Sequence, residues 1–328
     1  MNCGGSSQAL IKLSFVFFGV LDNCFLGRGG KLKFHIISSL FIFSLFFISC
    51  SQNGTNSSAS TAPRGKIKPE DVKKLFDAEN GCFRDGIVGG EKVNASNPRK
   101  NHVVLLWLTD HEGNQSICTG VLLTKKIVLT AAHCADGADL KVFFSPSVYC
   151  SKGMNKNLIF STNKILIHPQ WVKDIQDVDS GALNQANSDL ALVQLSMEAP
   201  FPYAPIGLGT PQELSKSSEI LQIGYGRTQT SDSQLPELRE VSKTAAQIKY
   251  LDHSQYLVVD QRNGKGGCPG DSGGPLMINV NGTYKVAGIA SYLINYKDKD
   301  LACETGELAY DSAADYAPWI LDGMKQLK

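Results

Sequence analysis

The chain has 328 residues, with 32 basic and 31 acidic side chains and a formal net charge of +1. That length allows one large domain or two ordinary ones, and modest charge with 42% hydrophobic residues excludes a disordered or fibrous protein. The first 49 residues carry four basic and one acidic residue, leaving 28 basic and 30 acidic residues beyond them, so nucleic acid is not expected as a partner.

The N-terminus reads as a targeting region. Lys31-Leu32-Lys33 precedes an apolar run over residues 36–48, followed by Ser49-Cys50. A basic start, a short apolar core and a small residue before a cut describe a secretory signal, and the run is shorter than the roughly 20 residues of a membrane span. Residues 1–49 are assigned to this signal region. Residues 1–30 hold a second apolar stretch, 15–21, which fits poorly ahead of a signal; translation from Leu32 gives a compact one. Phe47-Ile48-Ser49-Cys50 resembles a bacterial lipobox, with Phe where Leu is usual. That makes Cys50 a lipidation candidate and a lipid anchor a candidate partner. The other reading is an ordinary signal peptide that ends near a cysteine. Export follows from both, to the bacterial envelope as a lipoprotein or outside the cell as a secreted protein. Residues 50–86 read as a polar tether and pro-segment, with a short helix over 68–78 that puts Val72, Leu75 and Phe76 on one face.

From Ile87 onward the pattern is short apolar runs separated by turns. Residues 102–108, 117–123, 127–130, 140–144, 157–160 and 190–195 are the strand candidates of the first half. Four prolines within 199–211 mark a crossover. Residues 220–226, 258–259, 276–278 and 284–291 are strand candidates of the second half. A helix over about 318–327 closes the chain, with Tyr316, Ile320 and Leu327 on one face. Many short strands and one terminal helix fit two antiparallel β-barrels.

Three stretches carry candidate chemistry. They are Thr130-Ala131-Ala132-His133-Cys134, then Asn187-Ser188-Asp189-Leu190-Ala191-Leu192, then Cys268-Pro269-Gly270-Asp271-Ser272-Gly273-Gly274-Pro275. A serine hydroxyl is a weak nucleophile and needs a base held by a third group; here a histidine and an aspartate precede it. The glycines allow a tight turn and leave the N–H groups of Gly270 and Ser272 able to converge, as an oxyanion hole requires. Taken singly, each has a plain structural reading: a serine in a turn, a packed histidine. His168 is a second candidate base, but its neighbour Pro169 suits a turn. Six cysteines remain once Cys3, Cys24 and Cys50 are set aside, an even number in an exported chain, and the chain has no C-x-x-C pair for a zinc site.

The ordered set AAHC, SDLAL and GDSGGP resembles the chymotrypsin/trypsin-like serine proteases, over about residues 87–320. The resemblance implies an all-β fold of two antiparallel six-stranded β-barrels, about 87–200 and 201–328, with a C-terminal α-helix. It implies a serine endopeptidase acting on protein or peptide substrates without metal or cofactor, and a monomer. Ser272 would be the nucleophile, His133 the base, Asp189 the group that orients it, and the Gly270 and Ser272 N–H groups the oxyanion hole. The family's bridges match Cys118–Cys134 and Cys268–Cys303, which leaves Cys82–Cys150 by elimination. Ile87-Val88-Gly89-Gly90 resembles the family's freed N-terminus, whose ammonium would pair with Asp271 and order the oxyanion hole. Here Gly86 stands where the family has Arg or Lys. Either an activating protease cuts at Gly86–Ile87, or Asp85-Gly86 is trimmed after a cut at Arg84, or the chain stays a zymogen. Gly266 matches the base of the substrate pocket and brings no carboxylate there. Ser291-Tyr292-Leu293 matches the strand that pairs with substrate. Leu293 and Leu308, where the family often has Gly, would make a shallow apolar pocket for small aliphatic side chains. Two rival readings are a catalytically silent binding module of the same fold and a membrane-anchored zymogen that acts through its polar N-terminal segment.

Overall fold

The computed structural model describes residues 87–94, 96–145, 156–172, 188–228, 237–251, 255–296, 298 and 301–328. The signal region, the 68–78 helix, Cys50, Cys82 and Cys150 lie outside the described residues. Short 3₁₀ turns join some of the elements below.

Strand β1 (Glu91–Lys92) is followed by β2 (Val103–Thr109), whose apolar run is continuous because both of its faces are covered. Alternate residues of a strand point to opposite faces. Val104, Leu106 and Leu108 belong to a cluster drawn from the first half and, with Tyr203, the crossover after it, and Val103, Leu105 and Trp107 to one that also takes in Leu221, Tyr225 and Met277 of the second half. The first half continues with β3 (Gln115–Leu122), β4 (Ile127–Thr130), helix α1 (Ala132–Ala135), β5 (Asp139–Phe143), β6 (Ile159–Ile167) and β7 (Ala191–Leu195). Six of these strands close into an antiparallel barrel in the order β2-β3-β4-β7-β6-β5. Strand β7 repeats the alternation: Ala191, Val193 and Leu195 fill the barrel, whereas Leu192 points outward.

The second half holds β8 (Gly207–Leu208), α2 (Pro211–Lys216), β9 (Ile220–Gly224), β10 (Arg239–Lys243), β11 (Ile248–Leu251) and β12 (Tyr256–Asp260). It ends with β13 (Pro275–Val280), β14 (Thr283–Ile294), α3 (Ala302–Thr305), β15 (Glu307–Ser312) and α4 (Ala317–Gln326). Helix α2 starts in a capping box, with the Thr210 side chain accepting from Glu213 N and the Glu213 carboxylate accepting from Thr210 N. Helix α4 buries Tyr316, Ile320 and Leu327, and its Gly323 lies so close to β7 that an added Cβ would sit 2.5 Å from Leu192 Cδ1. Among the described residues no helix is long and apolar enough to cross a membrane.

The strand order β10-β9-β13-β14-β15-β12 gives the second half the cyclic order of the first. The all-β expectation of two barrels and a closing helix therefore holds, with one difference: the first barrel is closed and the second is open between β10 and β12. A lysine stands at that seam. Lys243, at the end of β10 and buried, donates its ammonium to the carbonyl of Asp260, at the end of β12, at 3.0 Å, and to that of Lys265. Burial pushes its pKa down to about 8 from the ordinary 10.5.

The sign of the resulting pH effect is fixed. Between pH 8 and 10.5 the unfolded lysine still binds a proton that the folded one has released, so this residue makes stability rise with pH. Denaturant titrations of wild type and Lys243→Met across that range should differ in slope, by about 3 kcal/mol in total. Parallel curves would mean that Lys243 keeps its ordinary titration.

Candidate active site

The histidine segment leaves β4 and turns at once into α1. The Cys118–Cys134 disulfide, with Cα atoms 6.2 Å apart, ties α1 back to β3. His133 meets Asp189 at two points. Its backbone N–H donates to Oδ1 at 2.8 Å, and its Nδ1 lies 2.6 Å from Oδ2. A carboxylate at Nδ1 fixes the proton there and leaves Nε2 as the acceptor in the neutral ring. The rings of Tyr292 and Trp171 flank the imidazole at 6.1 and 6.5 Å.

Asp189 is fully buried just before β7. Leu190 N donates to Ser188 O at 2.7 Å, a three-residue turn with Asp189 at its centre. Ser188 has φ of +46°, and its hydroxyl is 3.1 Å from that of Tyr316, which braces the turn on the entry to α4. A third donor comes from the second half. Ser291 Oγ donates to Asp189 Oδ2 at 2.6 Å. Ser291 sits at an irregularity of the β14–β15 register, between Ala290↔Tyr310 and Tyr292↔Ala309. Such a bulge re-aims one side chain, here toward Asp189.

Ser272 is half-buried in a loop clamped to the first barrel. Thr119 N donates to Ser272 O at 2.8 Å, and Thr119 Oγ1 donates to Gly270 O at 2.9 Å. Gly273 has φ of +78°, and a Cβ there would fall 2.0 Å from Thr130 Oγ1. Only glycine fits. Cys134 Sγ lies 3.7 Å from Ser272 O, which brings the histidine's own helix against the serine's peptide. Among the described residues the N–H groups of Gly270 and Ser272 donate to no protein atom.

Asp271 turns the other way. Its carboxylate accepts from Gly226 N at 2.7 Å and Cys268 N at 2.8 Å, in a space left by Gly224 and Gly226. Burial pushes its pKa up to about 7 against the pull of those two N–H groups, and no cation among the described residues pairs with it. Ile87 is buried with φ of +44°, and Val88 exchanges two backbone hydrogen bonds with Gly266, at 2.9 and 3.0 Å.

The pocket candidates come together as well. Leu293 and Leu308 are direct partners across β14 and β15. Leu308 Cδ2 stands 2.6 Å from where a Cβ of Gly267 would be. Behind Gly266 lies a residue that no sequence motif singles out. Gln261 is fully buried, and a Cβ on Gly266 would fall 2.2 Å from its carboxamide carbon. Gln261 Nε2 donates to Gly267 O at 3.0 Å and Cys303 O at 3.3 Å, and its Oε1 accepts from Gly267 N at 2.6 Å. The Cys268–Cys303 disulfide closes the same corner, with Cα atoms 5.1 Å apart.

His168 is not part of this site. It is buried against the rings of Tyr316 and Trp319, its Nδ1 accepts from Gln170 N, and burial lowers its pKa. Cys118, His133 and Cys134 lie close enough to suggest a metal cluster, but both sulfurs are bound in the disulfide and neither is a thiolate.

A buried carboxylate that holds a histidine, with a serine loop clamped beside that histidine's helix, makes this a candidate serine-hydrolase site. The Trypsin family model matches residues 87–320. Chymotrypsin-like elastase family member 1 from Canis lupus familiaris is 27% identical over 71% of this chain and 90% of its own length. The Homo sapiens protein of the same name is 30% identical over 54% of this chain and 70% of its own length. A trypsin of Saccharopolyspora erythraea is 28% identical over 63% of this chain and 86% of its own. The chain belongs to the chymotrypsin/trypsin-like serine protease family and is a serine endopeptidase.

In the uncleaved chain the Ile87 nitrogen is an amide, so Asp271 is buried without a counter-charge. Between pH 4 and 7 folded Asp271 holds a proton that its unfolded counterpart has lost, so stability falls as pH rises through that window. The drop should be about 4 kcal/mol larger in the uncleaved wild type than in Asp271→Asn. Denaturation midpoints of the full chain measure it; equal pH dependence in both would refute the assignment.

Proposed function

We propose that the protein is an exported serine endopeptidase, made as a precursor and activated by freeing Ile87. The observation that carries this reading is the two-point hold of Asp189 on His133, beside a serine loop whose Gly270 and Ser272 N–H groups have no protein acceptor. In this reading His133 Nε2 takes the Ser272 proton as Oγ attacks the peptide carbonyl carbon. Two N–H groups hold the oxyanion, each worth some 10²–10³ in rate by the usual measure. His133 then gives the proton to the leaving amine, and water releases the acyl group by the same route. Asp189 keeps the ring oriented and stabilises the imidazolium.

Cleavage would give Asp271 the cation it lacks. A buried carboxylate with two N–H donors and no counter-charge is an unfinished ion pair, and Ile87 and Val88 are already buried near the pocket base. The activating protease acts at Gly86–Ile87 or is followed by trimming of Asp85-Gly86. Two disulfides suit an oxidising compartment, which supports export either as a secreted protein or, through Cys50, as a bacterial envelope lipoprotein. We assign protein or peptide substrates and a monomer. No feature of the site favours a catalytically silent module over the enzyme.

For specificity, Gln261 behind Gly266 and Leu308 against Gly267 support a short apolar pocket that takes small aliphatic side chains. The same filling leaves no carboxylate for Lys or Arg. Leu308→Gly should move preference toward larger side chains in a peptide-library cleavage profile, and wild-type cleavage after Lys or Arg would overturn the pocket assignment. The function itself is tested with a fluorophosphonate probe. Processed wild type should label, and neither the unprocessed chain nor Ser272→Ala should. Folded wild type that labels in neither form would point to the silent module instead.

A further inference from the structure

Behind the triad's carboxylate stands a second one that the catalytic reading does not use. Asp311, on β15 directly after Tyr310, is fully buried, and neither of its carboxyl oxygens has a hydrogen-bond partner. Its strand neighbours are Ile289 on β14 and Tyr256 on β12. The Ser291 hydroxyl, the Asp189 backbone N–H and its own backbone N–H all lie near the carboxyl, but the Ser291 hydrogen is turned to Asp189 and none of the three is bonded to it. The titratable groups around it are Asp189 and, from the start of α4, Tyr316; none of the charges that act on it is a cation.

Two ionised carboxylates cannot share such a space without donors or a counter-charge. Asp189 has donors in His133 N, His133 Nδ1 and Ser291 Oγ. Asp311 has none. Burial and the Asp189 charge both push the Asp311 carboxyl well above the usual range, so of the two it is the one that keeps its proton. Ser291 also needs what a neutral acid offers. Its only hydrogen goes to Asp189, which leaves its lone pairs free to accept.

We propose that Asp311 is a protonated positioning residue whose O–H donates to Ser291 Oγ, so that acid, hydroxyl, carboxylate and imidazole form one directional chain: Asp311 to Ser291 to Asp189, with His133 donating from the other side. The chain locks the Ser291 hydrogen onto Asp189 and so holds the carboxylate square to His133. This rests on the triad reading above.

Two measurements test it and separate its failure from that of the triad. The first is infrared difference spectroscopy of the full chain, wild type against Asp311→Asn, at neutral pH. The carbonyl stretch of an un-ionised acid should be present in wild type and lost in the variant. Carboxylate bands in its place would overturn the proposal, whether or not the protein has any activity. The second is the fluorophosphonate labelling rate against pH, on full chain cut at Gly86–Ile87. Asp311→Asn keeps a donor and adds no charge, so its rate should stay within about twofold and its acid limb should not move. Asp311→Leu removes the donor and should label roughly tenfold more slowly, the worth of one lost hydrogen bond. A downward shift of the Asn variant's acid limb would mean that Asp311 is ionised and overturn the proposal, as would equal rates for the Asn and Leu variants. If wild type never labels, the triad reading fails while the infrared result still decides the protonation of Asp311.

Discussion

Everything at the site depends on how the loop of one barrel half is clamped to the strands of the other. Thr119, fully buried on β3, gives its N–H to Ser272 O and its hydroxyl to Gly270 O, while that hydroxyl accepts from Tyr225 N and its carbonyl accepts from Thr130 Oγ1. One side chain with its peptide thus ties β3 and β4 to the serine loop and to the start of the loop after β9. The tolerance is small, because a Cβ on Gly273 would overlap Thr130 Oγ1 and Thr119 O. His133 follows β4 three residues after Thr130, so the same clamp bears on where His133 and Ser272, the proposed base and nucleophile, sit relative to each other. Preorganisation of this kind is what turns a weak nucleophile into a usable one.

The neighbourhood buries three carboxyl groups, and the supply of donors sorts them. Asp189 has three donors, an arrangement that suits an anion. Asp271 has two and is poised around neutrality. Asp311 has none and stays neutral. The cost of burying a charge without partners makes this gradient steep, and it assigns a different electrostatic state to residues of one type within one short region. Each state suits its proposed role: an anion beside the imidazole, a group that would answer to a new cation once Ile87 is freed, and a proton donor behind the anion.

Much of this could be read from the sequence, for particular reasons. The AAHC, SDLAL and GDSGGP blocks were legible because the chemistry fixes residue type and the tight clamp fixes the glycines. Strand β2 was legible because both of its faces are buried, which makes an uninterrupted apolar run. Strands β10 and β11 were not singled out: Arg239, Glu240 and Lys243 and the exposed Lys249 and Tyr250 mask any alternation. Helix α2 did carry a signal, the Thr210-Pro211-Gln212-Glu213 capping box, although it lies in a stretch whose prolines read as a crossover. Gln261 and Asp311 carried none. Both are polar residues in or beside apolar strands, and their roles come from partners 6 to 122 positions away that only the fold brings near. The part played by Ser291 is of the same kind, since a register irregularity aims it and nothing in Ser291-Tyr292-Leu293 announces one.

The proposed pocket base and activation segment are also a single construction. Val88 bonds to Gly266 through both backbone groups and packs with Leu293 on the Cys268–Cys303 disulfide. Gln261 holds both backbone groups of the next residue, accepting from Gly267 N and donating to Gly267 O. Cys268, one residue further, gives its N–H to Asp271. From Val88 to Asp271 each hydrogen-bonded link is one residue from the next, with no slack between them. A side chain added at Gly266 has to displace the Gln261 carboxamide, which frees both backbone groups of Gly267 and loosens the donor that holds Asp271. The depth of the pocket and the state of the serine loop therefore cannot vary independently in this protein. On the proposed reading a deeper pocket needs a new way of holding Gly267, and the filling at Gly266 follows from how the loop is fixed as much as from any substrate.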